Sequence, residues 1–550
     1  MNLGDEQSLQ RKPHVAEHHK EVDMADDATS SASAAVDKNH LPRTNVVLWV
    51  ILACVVLAYA QMWNDSVMNY DDPDYLNRVV RQGLSWAGLR WAFQPQCCNW
   101  HPLTWLSHML DCTLFPAWFG AHKLHNLGLH LGSTALFYLF LLRAGLRPAF
   151  AGGAAFVFAL HPLRVTSVAW ISERKDCLAV FFCMLAIVCY QCYSVQRSPG
   201  WYAATTAAIA AALMAKPLAV MLPAAFLALD VWPLGRAGRN GLGDAKIRVL
   251  EKLPWLCAAC GVAVTTMIAQ RECGAVSSKA PLLFQLKHMV YSYAVYLWQL
   301  FPLGRHSVLY PVADVLRFPA AGVIGLAAML AGITWFVIAG VGRRPWLAAG
   351  WLWYLIVLFP TSGIVTIGEH SHADRYTYLP HAMVIAALAY EAQQLFDRGK
   401  VSRGVAIIAS SLVALILFGQ TYVWASKWDD SLSVFAASLH TTGPNQPLLQ
   451  CLGVHFDAIE DFANAEKFFA AAVACDPDAP EAQAQWIRSV LHNGRTADAQ
   501  AAFGRLVEQN PAVAVRCAEV MRTWRDDGNY DIRNAEFVWG FLEKYGTKPH

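Results

Sequence analysis

The sequence predicts an all-α protein that crosses a membrane many times and ends in a separate array of helical hairpins. Three observations support this fold class. Of the 550 residues, 55% are hydrophobic and only 15% are charged, whereas a soluble domain carries about a quarter charged residues. The mean hydropathy is +0.30, and the apolar residues are gathered in runs near membrane-spanning length. From about residue 440 the composition becomes charged, Ala-rich and helical.

Eleven apolar runs are predicted to be transmembrane helices, because each is close to the length that crosses about 30 Å of hydrocarbon. They are residues 46–63, 124–142, 149–160, 177–193, 201–215, 218–231, 253–269, 319–340, 346–360, 378–396 and 405–424. Residues 289–301 are a twelfth candidate, which fits either a span or an interfacial helix. Residues 1–44 lack any period and predict a disordered tail. The predicted domains are the tail 1–44, a membrane domain 45–425 and a C-terminal domain 440–550.

Arginines and lysines decide the predicted orientation, because cytoplasmic loops are enriched in them. They mark four loops: Arg143 and Arg147; Arg236, Arg239, Lys246, Arg248 and Lys252; Arg343 and Arg344; and Arg398, Lys400 and Arg403. With eleven spans and a cytoplasmic N-terminus, all four loops lie inside. A first loop at 64–123, stretches at 162–176 and 361–377, and the C-terminal domain are then exported. The net charge of +2, without a dense basic run, argues against a nucleic-acid partner.

The C-terminal domain carries an internal repeat. Its pattern is Leu452, Gly453 and Phe456 followed by Ala465, Phe469, Ala472 and Pro477, with a weaker copy 34 residues on at Ala499, Phe503 and Pro511. This spacing matches the tetratricopeptide repeat, which has two helices per unit. Residues 512–547 predict a further helical pair. Such repeats usually bind peptides or partner proteins, so the repeat predicts a protein partner in its groove.

An acidic cluster, "YDDPDYL", follows the first apolar run and contains Asp71 and Asp72. A solvated loop is the simple interpretation. However, His101 in "NWHPLTW", and His125 and His130 in "HKLHNLGLH", are predicted on the same face of the membrane. Ionisable groups at such depths indicate function, although a histidine satisfied by a neighbouring helix remains the alternative.

Cations in the second and third exported stretches oppose the orientation rule. A bound phosphate would explain them, since Arg offers paired donors and Lys a point charge. A salt-bridged loop, in which Glu173 and Asp176 neutralise their neighbours, is the alternative. The candidate residues are His161, Glu173, Arg174 and Lys175 in "HPLRVTSVAWISERKD", Arg375 and Tyr376 in "EHSHADRYTYLP", and Lys216 in "MAKPLAV".

Metal and disulfide chemistry have weaker signals. Glu369, His370 and His372 place two histidines at i, i+2 beside one carboxylate, which is a poor pattern for a metal site. No metal ligand is therefore assigned, and whether the protein needs a divalent cation is left open. Half of the fourteen cysteines fall in the predicted apolar runs, where they predict packing. Cys97, Cys98 and Cys112 lie in the first exported loop, where either Cys97 or Cys98 is a candidate to pair with Cys112 in an oxidising compartment.

These residues converge on sugar transfer from a lipid-linked donor. Such a donor carries its phosphate at the membrane interface and its chain in the bilayer. The cations would hold the leaving phosphate, and Asp71 or Asp72 would take the proton of the acceptor hydroxyl as it attacks the anomeric carbon. Two other classes remain open: a non-catalytic scaffold built on the C-terminal repeats, and a transporter of lipid-linked glycans. Clustering of the polar residues at one interface disfavours transport.

The ordered series "YDDPDYL", "NWHPLTWLSHMLD", "HKLHNLGLH", "FALHPLRVTSVAWISERKD" and "ADRYTYLP", followed by the repeats, resembles the transmembrane-and-TPR O-mannosyltransferase-like family and its bacterial counterparts. These belong to the GT-C glycosyltransferases, and the resemblance covers roughly residues 45–510. In the second exported stretch, Thr166 stands where the family commonly has glutamate.

The resemblance implies a GT-C fold and an inverting transfer of a mannose-like sugar from a polyprenyl-phosphate donor to a protein or glycan acceptor. It implies Asp71 or Asp72 as the acid/base residue, with Asp72 preferred, and Glu173, Arg174, Lys175 and Arg375 around the donor phosphate. It leaves a divalent cation open, because only some GT-C enzymes need one. A bacterial inner-membrane protein is implied, with a cytoplasmic N-terminus and periplasmic repeats.

Overall fold

The structure is a computed structural model that describes residues 41–236, 242–273, 281–302, 304–364, 370–526 and 535–545; the side chains of 41–45 and 242–245 are not described. This part of the chain is almost entirely helical. Contacts divide the chain into the units Met1–Val50 and Ile51–His550, and every contact given below lies within the second unit. The predicted disordered tail lies outside the described residues up to residue 40. The first helix begins at Leu41, before the predicted boundary at 45.

The α-helices are Leu41–Ala58, Asp72–Tyr75, Arg78–Arg81, Trp86–Ala92, Pro102–Leu114, Gly120–Arg143, Pro148–Ala159, Val165–Ala169, Arg174–Gln196, Pro199–Ala215, Leu222–Val231, Leu242–Glu272, Leu282–Trp298, Ala313–Arg317, Ala320–Ala339, Pro345–Leu358, Pro380–Asp397, Arg403–Ala425, Ser431–Thr442, Gln446–Ala458, Phe462–Cys475, Pro480–His492, Thr496–Gln509, Pro511–Asp526 and Glu536–Tyr545. Short 3₁₀ helices are Pro162–Arg164, Pro217–Met221, Phe359–Thr361, Asp374–Thr377 and Ser426–Asp429. The two strands are Tyr310–Pro311 and His370–His372.

Four helices in the described part of the chain are long and apolar enough to cross a membrane: Arg174–Gln196, Lys246–Glu272, Ala320–Ala339 and Arg403–Asp429. A fifth arises if the pair Pro148–Ala159 and Pro162–Ala169, bent by 49°, is one broken span. Only 6% of the apolar window in Ala320–Ala339 and 11% of that in Arg403–Asp429 is buried by protein. Because such surfaces need an apolar solvent, these helices are membrane-associated.

The prediction of eleven spans is therefore supported only in part. All eleven segments contain helix, but Val46–Ala58, Pro217–Val231 and Pro345–Thr361 are shorter apolar helices, and Pro199–Ala215 has 17 residues. The helix Gly120–Arg143 is long, but it begins with the polar residues His122, Lys123 and His125. The twelfth candidate belongs to the helix Leu282–Trp298.

The helix Arg174–Gln196 lies at the centre of the membrane-associated part and packs against both Gly120–Arg143 and Pro199–Ala215. Close approach to the first of these depends on Gly132, where a Cβ atom would lie 2.8 Å from the Phe181 ring. The apolar side chains of Arg174–Gln196 are largely buried. The chain immediately before and at the start of this helix, Glu173 to Asp176, is thereby held rigidly at one end of the bundle.

The first loop, residues 64–119, folds around a small core of its own. Tyr75, Val80, Ala92, Trp105 and Met109 are buried together there. Side-chain caps begin two of its helices: Asn77 accepts from the amides of Val79 and Val80, and Ser85 accepts from that of Gly88. The segments predicted as interfacial helices are helical, at Trp86–Ala92 and Pro102–Leu114. This packing fixes the position of the acidic segment that begins the loop.

The two strands pair antiparallel, with Tyr310 opposite His372. The rings of these two residues are stacked, with centroids 4.1 Å apart. Their pairing holds the backbone directly before the 3₁₀ turn Asp374–Thr377, which carries Arg375.

A buried ionic network, the Asp230 network, joins the helices Arg174–Gln196, Leu222–Val231 and Leu242–Glu272. Asp230 receives Lys252 Nζ at 2.6 Å and Arg236 Nη1 at 3.2 Å. Glu251 receives Arg236 Nη2 at 2.6 Å, and the Tyr190 hydroxyl donates to Asp230 at 2.8 Å. Glu251 also receives Arg248 Nη1 at 3.3 Å, so each carboxylate of this network has cation partners inside this part of the bundle.

From Ser431 onward, consecutive helices pack on one another across short connections. Gly453 faces the Phe469 ring, which would lie 2.4 Å from a Cβ atom at that position. Ala465, Ala472 and Phe503 are buried, as the repeat pattern predicts. The array begins about ten residues before the predicted boundary at 440, because Ser431–Thr442 already packs against Gln446–Ala458.

Candidate functional site

A cavity of about 900 Å³ opens between the first loop, the chain around Glu173 and the turn that carries Arg375. Seven of the predicted site residues line it: Asp71, His101, Glu173, Lys175, Lys216, Arg375 and Tyr376. Its volume is within the range of about 300–1,000 Å³ that is usual for small-molecule sites. Residues more than 300 positions apart in the chain thus meet in one cavity, as the sequence pattern predicted.

Glu173 is at the centre of the polar end of the cavity. Its Oε1 atom lies 3.2 Å from Lys175 Nζ and 3.1 Å from Arg375 Nε. Its Oε2 atom lies 3.5 Å from Lys216 Nζ. Burial opposes ionisation of this carboxyl, but Lys175, Lys216 and Arg375 together hold the pKa of Glu173 well below its usual range. Glu173 is therefore an anion that gathers three cations, and we call these four residues the Glu173 cluster.

Carboxylates surround the cations of the Glu173 cluster. Asp176 Oδ1 lies 2.5 Å from Lys216 Nζ, and Asp176 also accepts from the Ser167 hydroxyl. The third carboxylate near these cations is Asp71, which lies 3.9 Å from Lys175 Nζ and is 37% exposed, whereas Glu173 and Asp176 are buried. The cations on the cavity side are therefore shared between the partly exposed Asp71 and any anionic ligand that enters.

Aromatic rings hold the cations in place. Lys175 Nζ lies 4.5 Å from the centroid of the Tyr75 ring. The Arg375 guanidinium lies 5.6 Å from the Trp170 ring and 5.1 Å from the Tyr376 ring. Such contacts favour a fixed orientation of the cation while leaving its outer donors available.

Asp71 and Asp72 have different surroundings, although they are adjacent in the chain. Asp71 lines the cavity with its side chain 37% exposed, and its Oδ2 atom lies 3.9 Å from Lys175 Nζ. Burial raises the pKa of the Asp71 carboxyl, while Lys175 works to lower it. The geometry favours Asp71 as the base that reaches a substrate.

Asp72 is fully buried and faces away from the cavity. Its two oxygens accept from the backbone amides of Met68 and Ser172, each at 2.9 Å. Burial raises the pKa of Asp72 to about 7, against the lowering effect of these two hydrogen bonds. Asp72 therefore joins the first loop to the chain before Glu173. This arrangement does not favour the sequence-based preference for Asp72 as the base.

His101 lines the cavity floor as a neutral ring. It is stacked on Tyr75, with centroids 5.7 Å apart, and lies against Trp105. Burial, with a further contribution from Lys175, lowers the pKa of His101 to about 3. Its Nε2 atom is buried and has no hydrogen-bond partner among the described residues.

Arg174 and His125 lie outside the cavity, contrary to the prediction that they bind substrate. Arg174 is fully buried and donates to Asp111 Oδ2 at 2.6 Å and to the His122 carbonyl at 2.8 Å. Successive helical residues point about 100° apart, so Arg174 and Lys175 face different neighbours. His125 accompanies Arg174, with its Nδ1 atom 2.8 Å from Asp111 Oδ1.

His161 is also placed away from the cavity lining. Its Nε2 atom lies 3.1 Å from the Leu300 carbonyl, and its Nδ1 atom accepts from the amide of Leu163. This is the histidine satisfied by a neighbouring helix, which the sequence left open as the alternative for such residues. His130 is similar, because it contacts the Ala159 carbonyl and the Tyr378 hydroxyl.

His108, Asp111 and His122 are the one group in the described residues whose ligand atoms could together hold a metal ion. The two histidine Nδ1 atoms are 3.0 Å apart, and His122 Nδ1 lies 3.1 Å from Asp111 Oδ2. However, the buried Arg174 guanidinium already occupies the cation position on Asp111. A divalent ion here would add charge that nothing compensates, so this donor set fits an ion poorly.

The weak metal pattern at 369–372 gains no support. His370 Nε2 lies 3.2 Å from the Tyr376 hydroxyl, His372 is stacked on Tyr310 and contacts the Ser371 hydroxyl, and Glu369 lies outside the described residues. The expected disulfide is not formed either. Cys112 is buried in the first-loop core and lies 3.8 Å from His122 Nε2, whereas Cys97 and Cys98 line the cavity as free thiols.

Sequence reasoning missed the C-terminal wall of the cavity. Phe435, Leu448 and Cys451 line it from the helices Ser431–Thr442 and Gln446–Ala458. Asn69 connects the acidic segment to this wall. Its backbone N–H donates to Ser431 Oγ at 3.1 Å, and its side-chain amide donates to the Cys451 carbonyl at 3.0 Å. No local signal marks these residues, because they precede the first residue of the repeat pattern, Leu452, and belong to no motif in the sequence.

The cavity also has an apolar side next to the membrane-associated helices. Ala263 and Met267 line it from the helix Leu242–Glu272. On the neighbouring face of the same helix, Val264 and Ile268 are more than half exposed. One helix therefore separates the cavity from an apolar surface that lipid would cover.

Comparisons with known proteins identify no relative: no family model, no curated protein and no solved structure matches this chain.

Proposed function

We propose that this protein is a membrane glycosyltransferase of the GT-C type. It would transfer a sugar from a polyprenyl-phosphate donor to a hydroxyl of a protein or glycan. The observation that carries the proposal is the shared cavity in which Asp71 lies opposite three cations. In this proposal the chain has eleven spans, its N-terminus is cytoplasmic in a bacterial inner membrane, and its C-terminal helices are tetratricopeptide repeats on the periplasmic side.

The phosphate of the donor would bind at the Glu173 cluster. Lys175, Lys216 and Arg375 present their donors around one point next to the cavity. The prenyl chain would leave along the apolar side, past Ala263 and Met267. A ligand with a charged head and a long apolar tail satisfies both sides of the cavity.

Asp71 would act as the base. The acceptor oxygen forms a bond to the anomeric carbon while the bond from that carbon to the phosphate oxygen breaks, with inversion. The acceptor proton passes to Asp71, and the polyprenyl phosphate leaves with its charge compensated by Lys175, Lys216 and Arg375. Because a carboxylate is a weak base, positioning of acceptor and donor supplies much of the acceleration. The chain's own residues account for each of these steps without a metal.

The direct test is transfer of radiolabelled sugar from a set of polyprenyl-phosphate donors by the purified full chain. Asp71→Asn should lower the turnover about 100- to 10,000-fold, the usual contribution of a general base, without loss of folding. Asp74→Asn is the matched control, because Asp74 lies three residues along the same segment and takes no part in the proposed reaction. The turnover of this variant should stay close to wild type.

Asp72→Asn separates the two aspartates. This variant should lower the free energy of unfolding by about 1–3 kcal/mol, because two backbone amides lose a charged acceptor, and the folded fraction should keep its turnover. Equal activity of Asp71→Asn and wild type would exclude the proposed base. Binding of a partner protein by the wild-type chain, with no transfer from any donor, would favour a scaffold.

A further inference from the structure

The turn that carries Cys97 and Cys98 has an unusual backbone. Gln96 and Asn99 exchange two backbone hydrogen bonds across it, at 2.9 and 3.0 Å. The φ angles of Cys97 and Cys98 are 46° and 60°. A tight turn with positive φ at both central residues normally uses Gly or Asn. Two cysteines here keep their thiols at a fixed place on the cavity rim, although glycine would be easier to accommodate.

A second element brings another thiol to this turn. The helix Leu242–Glu272 ends beside it, and Gln270 Nε2 lies 3.4 Å from Asn99 Oδ1. Gln270, Cys97, Cys98 and Asn99 line the same cavity. Cys273, three residues after Gln270, is exposed, and the contact between Gln270 and Asn99 brings the end of its helix to the Cys98 turn. Burial and interaction with the Cys273 thiol raise the pKa of the Cys98 thiol to about 12. Both sulfurs are accessible to a reagent, because Cys98 is half-buried rather than enclosed.

We propose that Cys98 and Cys273 form a disulfide that fastens the first loop to the helix Leu242–Glu272 at the rim of the cavity. The residues expected from the sequence to pair, Cys97 or Cys98 with Cys112, are replaced by a pair drawn from two distant parts of the chain. The disulfide would fix one side wall of the cavity. It depends on an oxidising compartment and not on the reaction that the cavity performs.

The reaction is a thiol–disulfide exchange with a small disulfide oxidant, such as oxidised glutathione. One thiolate attacks the oxidant and forms a mixed disulfide, which releases one thiol of the oxidant. The second thiolate attacks the protein sulfur of that mixed disulfide and releases the other thiol. The two electrons lost by Cys98 and Cys273 reduce the oxidant, and their two protons end on its two thiols.

The test uses the purified full chain, reduced with a phosphine and then treated with oxidised glutathione. Free thiols are blocked with N-ethylmaleimide before digestion with trypsin, and disulfide-linked peptides are identified by mass spectrometry. Cys273 lies in the tryptic peptide 272–279, which holds no other cysteine. Cys98 shares the peptide 91–123 with Cys97 and Cys112, so the double variant Cys97→Ser/Cys112→Ser makes the assignment unique.

The peptide pair 91–123 and 272–279 should appear in the wild type and in the double variant, and it should be lost in Cys98→Ser. Labelling of Cys273 by N-ethylmaleimide should fall after oxidation and return after reduction. A link from Cys273 to Cys97, a stable mixed disulfide with glutathione at Cys98, or full labelling of both thiols after oxidation would each overturn the proposal. None of these outcomes depends on sugar transfer, so failure here and failure of the proposed function can be told apart.

Discussion

The Glu173 cluster and the Asp230 network both bury charged side chains between helices, but they differ in access to the cavity. In the Asp230 network, Asp230 and Glu251 pair with Lys252, Arg236 and Arg248, and none of these residues lines the cavity. In the Glu173 cluster, three cations surround Glu173 and open onto a cavity of about 900 Å³. A network closed off from the cavity stabilises the fold, whereas a cluster of cations that opens onto a cavity can receive an anion.

The largest effect is expected where the closed network is broken. Lys252→Met leaves Asp230 without its nearest cation and should lower the free energy of unfolding by about 3–5 kcal/mol, because a buried charge loses its partner. Donor turnover per folded molecule should be unchanged. The measurement is denaturation in detergent together with the transfer assay. Lys246→Met is the matched control, since Lys246 lies exposed on the same helix; equal loss in both variants would contradict the comparison.

Removal of the Glu173 carboxylate should also destabilise the protein, but an added anion should restore part of the lost stability. In Glu173→Gln the three cations lose their common partner, so the free energy of unfolding should fall by about 3 kcal/mol. Millimolar inorganic phosphate should restore part of this loss by binding between the cations. Phosphate should not rescue Lys252→Met. If phosphate raises the melting temperature of both variants equally, the Glu173 cluster is not an anion site.

A smaller effect is expected on donor affinity. Arg375→Gln removes one charged donor from the rim of the Glu173 cluster, which should raise the KM for the polyprenyl-phosphate donor by about 10- to 100-fold, or about 1.5–3 kcal/mol. The acceptor KM should change little. Arg343→Gln, at an exposed position on a loop remote from the cavity, serves as control. A loss of stability without a change in donor KM would show that Arg375 stabilises the fold, as the Asp230 network does, and does not bind the donor.

The smallest effect concerns pH. Because burial raises the pKa of the Asp71 carboxyl, and only the ionised form takes a proton, turnover should rise with pH along an acid limb centred above the ordinary aspartate value. Lys175 lowers the pKa of Asp71, so Lys175→Met should move that limb to higher pH in addition to weakening donor binding. The kcat profile at saturating donor measures this. A limb that shifts to lower pH in the variant would contradict the assigned base.

Much of this arrangement follows from sequence. Apolar runs predicted helices at every span, since burial and membrane insertion both follow hydropathy. Lys175, Lys216 and Arg375 were singled out because cations at positions predicted to be exported need a reason, and the structure brings them together around Glu173. Adjacent residues were harder to separate. Asp71 and Asp72 have the same side chain, and only the backbone amides of Met68 and Ser172 tell them apart.

Errors arose where tertiary placement decides. Arg174 was grouped with Lys175 because they are neighbours in the chain, but the rotation of a helix sends Arg174 to Asp111. The sequence left open whether Cys97 or Cys98 pairs with Cys112, and nothing local points to Cys273, which follows a helix 175 residues further along the chain than Cys98. Local patterns carry no information on where a distant helix ends.

The hydrogen bonds from Asn69 to Ser431 and Cys451 have a consequence for biosynthesis. The acidic segment leaves the ribosome more than 360 residues before the helices that close its cavity. A nascent chain that stops before residue 451 therefore lacks one side of the pocket, even if all its membrane helices are inserted. In the proposed transferase, the complete cavity would exist only near the end of translation, so truncated products would lack the proposed activity.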